Sequence, residues 1–135
     1  MSKKVASGMV PGTHGSTFGG NYLSSTAALE VLKILEEHQN EGKIKKSIQH
    51  FSDKLTLLFD KYQNVFTKEV GLGLMRGLRV KDEETLSSII NNAFDERVLV
   101  LKAGKNTLRF LPPLTITQDE IDEGFKRLDN AISKI

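Results

Sequence analysis

Val65-Phe66-Thr67-Lys68-Glu69-Val70-Gly71-Leu72-Gly73-Leu74-Met75-Arg76-Gly77-Leu78-Arg79-Val80 is where the periodicity of the chain changes. Residues 65–70 and 74–80 form two short runs rich in β-branched and large apolar side chains, with Gly71 and Gly73 between them as in a hairpin. The glycines of this stretch bear a superficial likeness to a dinucleotide loop. Gly77 comes one residue too late for that motif, however, and no helix follows, so two strands are the reading. Arg76 and Arg79 are expected to be exposed or to face a dimer partner.

Upstream of the hairpin the spacing is helical. Residues 23–37 place Ala28, Leu32 and Leu35, with Val31 beside them, on one stripe. Asn40, Glu41 and Gly42 interrupt it, and Ile44, Ile48, Phe51, Leu55, Leu58 and Tyr62 then recur at i+3 or i+4 to mark a second amphipathic helix. Downstream, Asp82-Glu83-Glu84 gives an acidic start to a short helix that turns Leu86, Ile89, Ile90, Ala93 and Phe94 inward. Residues 98–101 and 107–111 read as two more strands around the turn Gly104-Lys105-Asn106, closed by Pro112 and Pro113. Thr117 has the character of an N-cap, with Glu120 completing a capping box and Ile116 stapling onto Ile121. Ile121, Phe125, Leu128, Ile132 and Ile135 then form the buried stripe of a last helix. The sum is an α+β fold, with helices packed on one face of a small, mainly antiparallel sheet.

Composition narrows the function. The 135 residues suffice for one domain, and 19 basic against 17 acidic residues leave a net charge of +2. No basic run or aromatic-interleaved patch suggests nucleic acid as a partner. Without cysteine there is no disulfide framework or thiolate metal site, which fits a reducing cytoplasm. His14, His38 and His50 stand far apart, and neither His38 nor His50 has a His, Asp or Glu four residues on, so no metal site is expected. No apolar run approaches a membrane span, and Met1-Ser2-Lys3-Lys4 lacks the apolar core of a signal peptide, so no membrane partner is expected.

Two motifs carry chemistry. In His14-Gly15-Ser16-Thr17-Phe18-Gly19-Gly20-Asn21 two hydroxyls stand beside a glycine pair at the mouth of a helix. Hydroxyls, flexible backbone N–H groups and the positive end of a helix together favour a phosphate. It is not a Walker loop, because no lysine follows the glycines. Far downstream, Asn106-Thr107-Leu108-Arg109-Phe110-Leu111-Pro112-Pro113-Leu114-Thr115-Ile116-Thr117 sets Arg109 among apolar neighbours, where an unpaired guanidinium is costly. A planar guanidinium grips a carboxylate through two parallel hydrogen bonds, although strict alternation also allows Arg109 to be a strand residue pointing to solvent.

In this order the two motifs resemble the class III pyridoxal-phosphate aminotransferases, and their acetylornithine branch most closely, from about Lys4 to Ile135. The resemblance implies the small C-terminal domain of a fold-type I aminotransferase. Residues 1–22 would be a phosphate-turn segment belonging to the large-domain and dimer interface, and residues 23–135 the small domain with its leading interdomain helix. It implies that Thr17 contacts the phosphate of pyridoxal 5'-phosphate held mainly by the neighbouring subunit of a homodimer. Ser16 would line the substrate pocket, and Arg109 would bind the substrate α-carboxylate. The catalytic lysine, by the same resemblance, lies upstream of Met1, since Lys3 and Lys4 lack its surrounding motif and read as solvated surface. Tyr22 departs from the family, which usually has proline after Asn21. The activity implied is amino transfer between N-acetylornithine and 2-oxoglutarate in cytoplasmic arginine biosynthesis, with the 135-residue segment inactive alone. Ornithine, succinylornithine and 4-aminobutyrate remain alternative donors, and a non-catalytic binding or oligomerisation module is the alternative of a different class.

Overall fold

The computed structural model describes residues 3–6, 8–10, 12 and 15–135. His14 and the side chains of Lys3 and Lys4 lie outside the described residues. The chain divides into two compact units, Met1–Glu37 and His38–Ile135.

The first unit contains the four-residue helix α1 (Lys3–Ala6) and most of α2 (Tyr22–Asn40). Helix α2 starts where the Asn21 side-chain carbonyl accepts the Ser24 N–H at 2.9 Å, while the Asn21 amide donates to the Phe18 carbonyl at 2.6 Å. This is an N-cap bond, and it starts the helix without the expected proline. No residue of α2 is buried. Of the expected inward stripe, Ala28, Val31 and Leu32 are exposed and Leu35 is half-buried. The helical period was read correctly, but the apolar face has no cover among the described residues.

The second unit runs α3 (Lys43–Lys61), β1 (Phe66–Leu72), β2 (Met75–Val80), α4 (Glu83–Asp95), β3 (Leu101–Ala103), β4 (Thr107–Phe110) and α5 (Gln118–Ile132). The four strands lie in the order β1-β2-β4-β3, and every neighbouring pair is antiparallel. Gly73 and Leu74 form the two-residue loop between β1 and β2, and Gly73 takes a left-handed φ of 61°, as the turns that match strand twist require. Phe51, Leu55 and Leu58 of α3, Leu86, Ile89 and Ala93 of α4, and Ile121, Phe125, Leu128 and Ile132 of α5 share one core with Leu78, Val80, Leu108 and Phe110 of the sheet. Each fully buried large side chain contributes about 1.5–3 kcal/mol, so this face holds the unit together. Phe51 and Phe125 meet edge to face at 5.1 Å between ring centroids. Polar ties fix how the helices sit: Ser47 donates to the Ile116 carbonyl at 2.9 Å, and Asn92 donates to the Ala131 carbonyl at 3.1 Å.

Four expectations need correction. The third strand is Leu101–Ala103, not 98–101, because Lys105 and Asn106 at φ 60° and 49° make a tight turn that pairs Ala103 with Thr107. Val98 and Val100 still pack on the core, but as the approach to the strand. Phe94 is 68% exposed, since it lies 100° round α4 from buried Ala93. Ile135 is 53% exposed because α5 ends at Ile132. Arg76 and Arg79, expected to be exposed or to face a dimer partner, are half-buried, which corrects the first of these alternatives. Arg76 points to the helix side of the sheet, where it forms an ion pair with Glu69 and donates to the Ser52 hydroxyl at 3.3 Å.

Candidate functional site

Ser16 and Thr17 come together in one exposed turn of the first unit, and Arg109 belongs to the second. In the turn the Gly19 N–H donates to the Ser16 carbonyl at 3.3 Å, folding residues 16–19 back on themselves. A Cβ at Gly19 would stand 2.9 Å from the Ser16 Cβ and 3.0 Å from its Oγ, so only glycine leaves the Ser16 hydroxyl where it is. Neither hydroxyl makes a hydrogen bond among the described residues, and the positive end of the 19-residue α2 begins five residues after Thr17. Two free hydroxyls beside a helix N-terminus are a donor set that fits a phosphate.

Arg109 stands on the face of the sheet opposite the one on which α3, α4 and α5 of its own unit pack. Leu108 and Phe110 on either side of it point into the core, so alternation along β4 sends Thr107 and Arg109 the other way. Across the ladder Arg109 faces Gly77 of β2 and Leu101 of β3. A Cβ at Gly77 would meet the Thr107 Cγ2 at 2.5 Å and the Val70 Cγ2 at 3.3 Å, so these two side chains close over the glycine. Beside them lies an open cavity of about 340 Å³, lined by Val70, Gly77, Arg79, Thr107 and Arg109 among others. Arg109 is half-buried, forms no ion pair among the described residues, and keeps its Nε buried without a hydrogen-bond partner. A buried donor left unmade costs about 1–3 kcal/mol, which an arriving carboxylate would recover. Arg79, on the same cavity and with the same orphaned Nε, was missed by sequence reasoning. Only the pairing of β2 with β4 brings it near Arg109, and no local pattern encodes that pairing.

Among the described residues no cluster of His, Asp and Glu could hold a metal ion, and no helix is long and apolar enough to cross a membrane. His50 is instead engaged in a surface network, its Nε2 lying 2.7 Å from the Asp122 carboxylate that Lys54 also reaches at 2.8 Å.

Residues 1–132 match the family described as aminotransferase class-III, and the chain belongs to that family. Among particular proteins, it is 55% identical over 125 residues to an acetylornithine aminotransferase of Wolinella succinogenes, covering 93% of this chain and 32% of that protein. The fold is shared with solved aminotransferase structures. An N-acetylornithine aminotransferase from Stenotrophomonas maltophilia superposes with a TM-score of 0.74 at 30% identity, covering 86% of this chain and 32% of that one. A lysine aminotransferase from M. tuberculosis gives 0.80 at 27% identity, with 93% and 29% covered. The chain thus spans about a third of the length of these relatives.

Proposed function

We propose that this chain is the C-terminal segment of an acetylornithine aminotransferase, moving an amino group between N-acetylornithine and 2-oxoglutarate in cytoplasmic arginine biosynthesis. The observation that carries this reading is Arg109, a half-buried guanidinium with an orphaned Nε on the sheet face turned away from the helices of its own unit. Bound pyridoxal phosphate supplies the electron sink that makes the α-proton of an amino acid removable. The Thr17 hydroxyl donates to the phosphate, with the N-terminus of α2 adding its positive end. Ser16 borders the substrate, and Arg109 grips the α-carboxylate through its planar fork, orienting donor and acceptor alike. The catalytic lysine comes from outside these 135 residues, and the phosphate turn serves the partner subunit of a homodimer.

Two measurements test this reading. The purified 135-residue chain should neither transaminate nor give a lysine-dependent visible band with pyridoxal phosphate, and a stoichiometric band abolished by changing one lysine overturns that expectation. In the protein that joins this chain to a lysine-bearing large domain, Arg109→Lys keeps the charge but loses the two-pronged geometry. Hydrogen bonds to charged groups are worth roughly 1.5–3 kcal/mol, so kcat/KM should fall about tenfold or more for donor and acceptor varied separately. Unchanged kinetics for both would make Arg109 an ordinary strand residue.

A further inference from the structure

Arg79 has no role in the reading above, yet it shares the cavity with Arg109. It pairs across the ladder with Thr107, two residues from Arg109 on β4, so the two arginines stand on one face as diagonal neighbours. In a sheet such positions lie roughly 7–8 Å apart, within reach of long side chains. Both are half-buried, neither forms an ion pair among the described residues, and both leave Nε buried without a partner. No acidic side chain of the four strands offsets them on that face. The one acidic residue of the four strands, Glu69, lies on the helix side with Arg76, whereas alternation adds a further cation, Lys68, to the open side. Two guanidinium charges held side by side repel, and a ligand with one negative group relieves that repulsion less than a ligand with two.

We propose that Arg79 is a specificity-determining residue of the Arg109 pocket, making it select ligands with two carboxylates on a short chain over ligands with one. This rests on the reading of Arg109 as a carboxylate ligand, and the test separates the two. The 135-residue chain is titrated with glutarate and with butyrate, which have one carboxylate end in common, and followed by backbone amide shifts. Glutarate should bind about tenfold or more tighter than butyrate. Arg79→Gln should remove that preference by weakening glutarate and leaving butyrate nearly unchanged, whereas Arg79→Lys, which keeps the charge, should retain most of it. Arg109→Gln should weaken both ligands. If Arg79→Gln loses its spectral dispersion, Arg79→Met, which keeps an apolar stem, replaces it. Equal binding of the two ligands by the native chain, or a preference that survives Arg79→Gln, overturns the role of Arg79 while leaving Arg109 standing. So does an equal loss of both ligands in that variant. Binding of both ligands that is indifferent to Arg109→Gln overturns the carboxylate reading itself, and a native chain that binds neither overturns both.

Discussion

At Gly77 the open sheet face has no room for a single methyl group, since the Thr107 Cγ2 would lie 2.5 Å from it. Gly77→Ala should therefore destabilise the unit by about 1–3 kcal/mol, the usual cost of overpacking. Thr107→Ser, which deletes the opposing methyl, should restore part of the loss in the double variant, although the Leu108 carbonyl at 3.1 Å remains close. Thermal melts of the two singles and the double decide it, and strictly additive losses would show that the clash is not the cause. At this scale sequence and structure carry different information. The turn that holds Ser16 and Thr17 is legible because it is written in neighbouring letters. The crowding at Gly77 and the nearness of Arg79 to Arg109 are not, because they depend on which strand lies beside β2.

The helix starts are the best-encoded elements. Thr117 and Glu120 form the capping box expected from their spacing, the Glu120 carboxylate accepting the Thr117 N–H at 2.9 Å and the Thr117 hydroxyl accepting the Glu120 N–H at 3.3 Å. Thr117→Ala should cost about 1 kcal/mol, seen as a melt lower by a few degrees. Acid should act at the same places. Asp82 is held below the usual carboxylate range chiefly by the Thr85 backbone N–H it accepts, and Glu120 chiefly by that of Thr117. Because the folded values are lowered, their stabilisation is complete above the ordinary carboxylate value of about 4 and is lost as pH falls through the folded value. Melting temperature should thus decline below about pH 4, and less steeply in Glu120→Gln; an equally steep decline in that variant would remove the cap from the account. Strand bounds were less legible. β3 has only three residues, and a local apolar run at 98–101 pointed to the wrong ones, because its register is fixed by a left-handed turn and by β4.

At the scale of the whole molecule, α2 leaves an apolar surface unmet among the described residues. Leu23, Leu29, Val31 and Leu32 are all more than half exposed, and leaving apolar area in water costs about 25 cal/mol per Å². The 135-residue chain should self-associate through this helix as its concentration rises, and Leu29→Asp with Leu32→Asp should suppress it. Sedimentation that finds the native chain monomeric at high concentration would contradict this. The strand order has a separate effect, on how the second unit is assembled. β1 with β2 and β3 with β4 are hairpins between sequence neighbours, whereas the central ladder joins β2 to β4 with all of α4 between them. Each hairpin closes a short loop at small entropic cost, but the middle of the sheet forms only after the longer loop has closed. Amides of the β2–β4 ladder should therefore exchange with solvent only when the whole unit opens, while those at the outer edges of β1 and β3 exchange through local fraying.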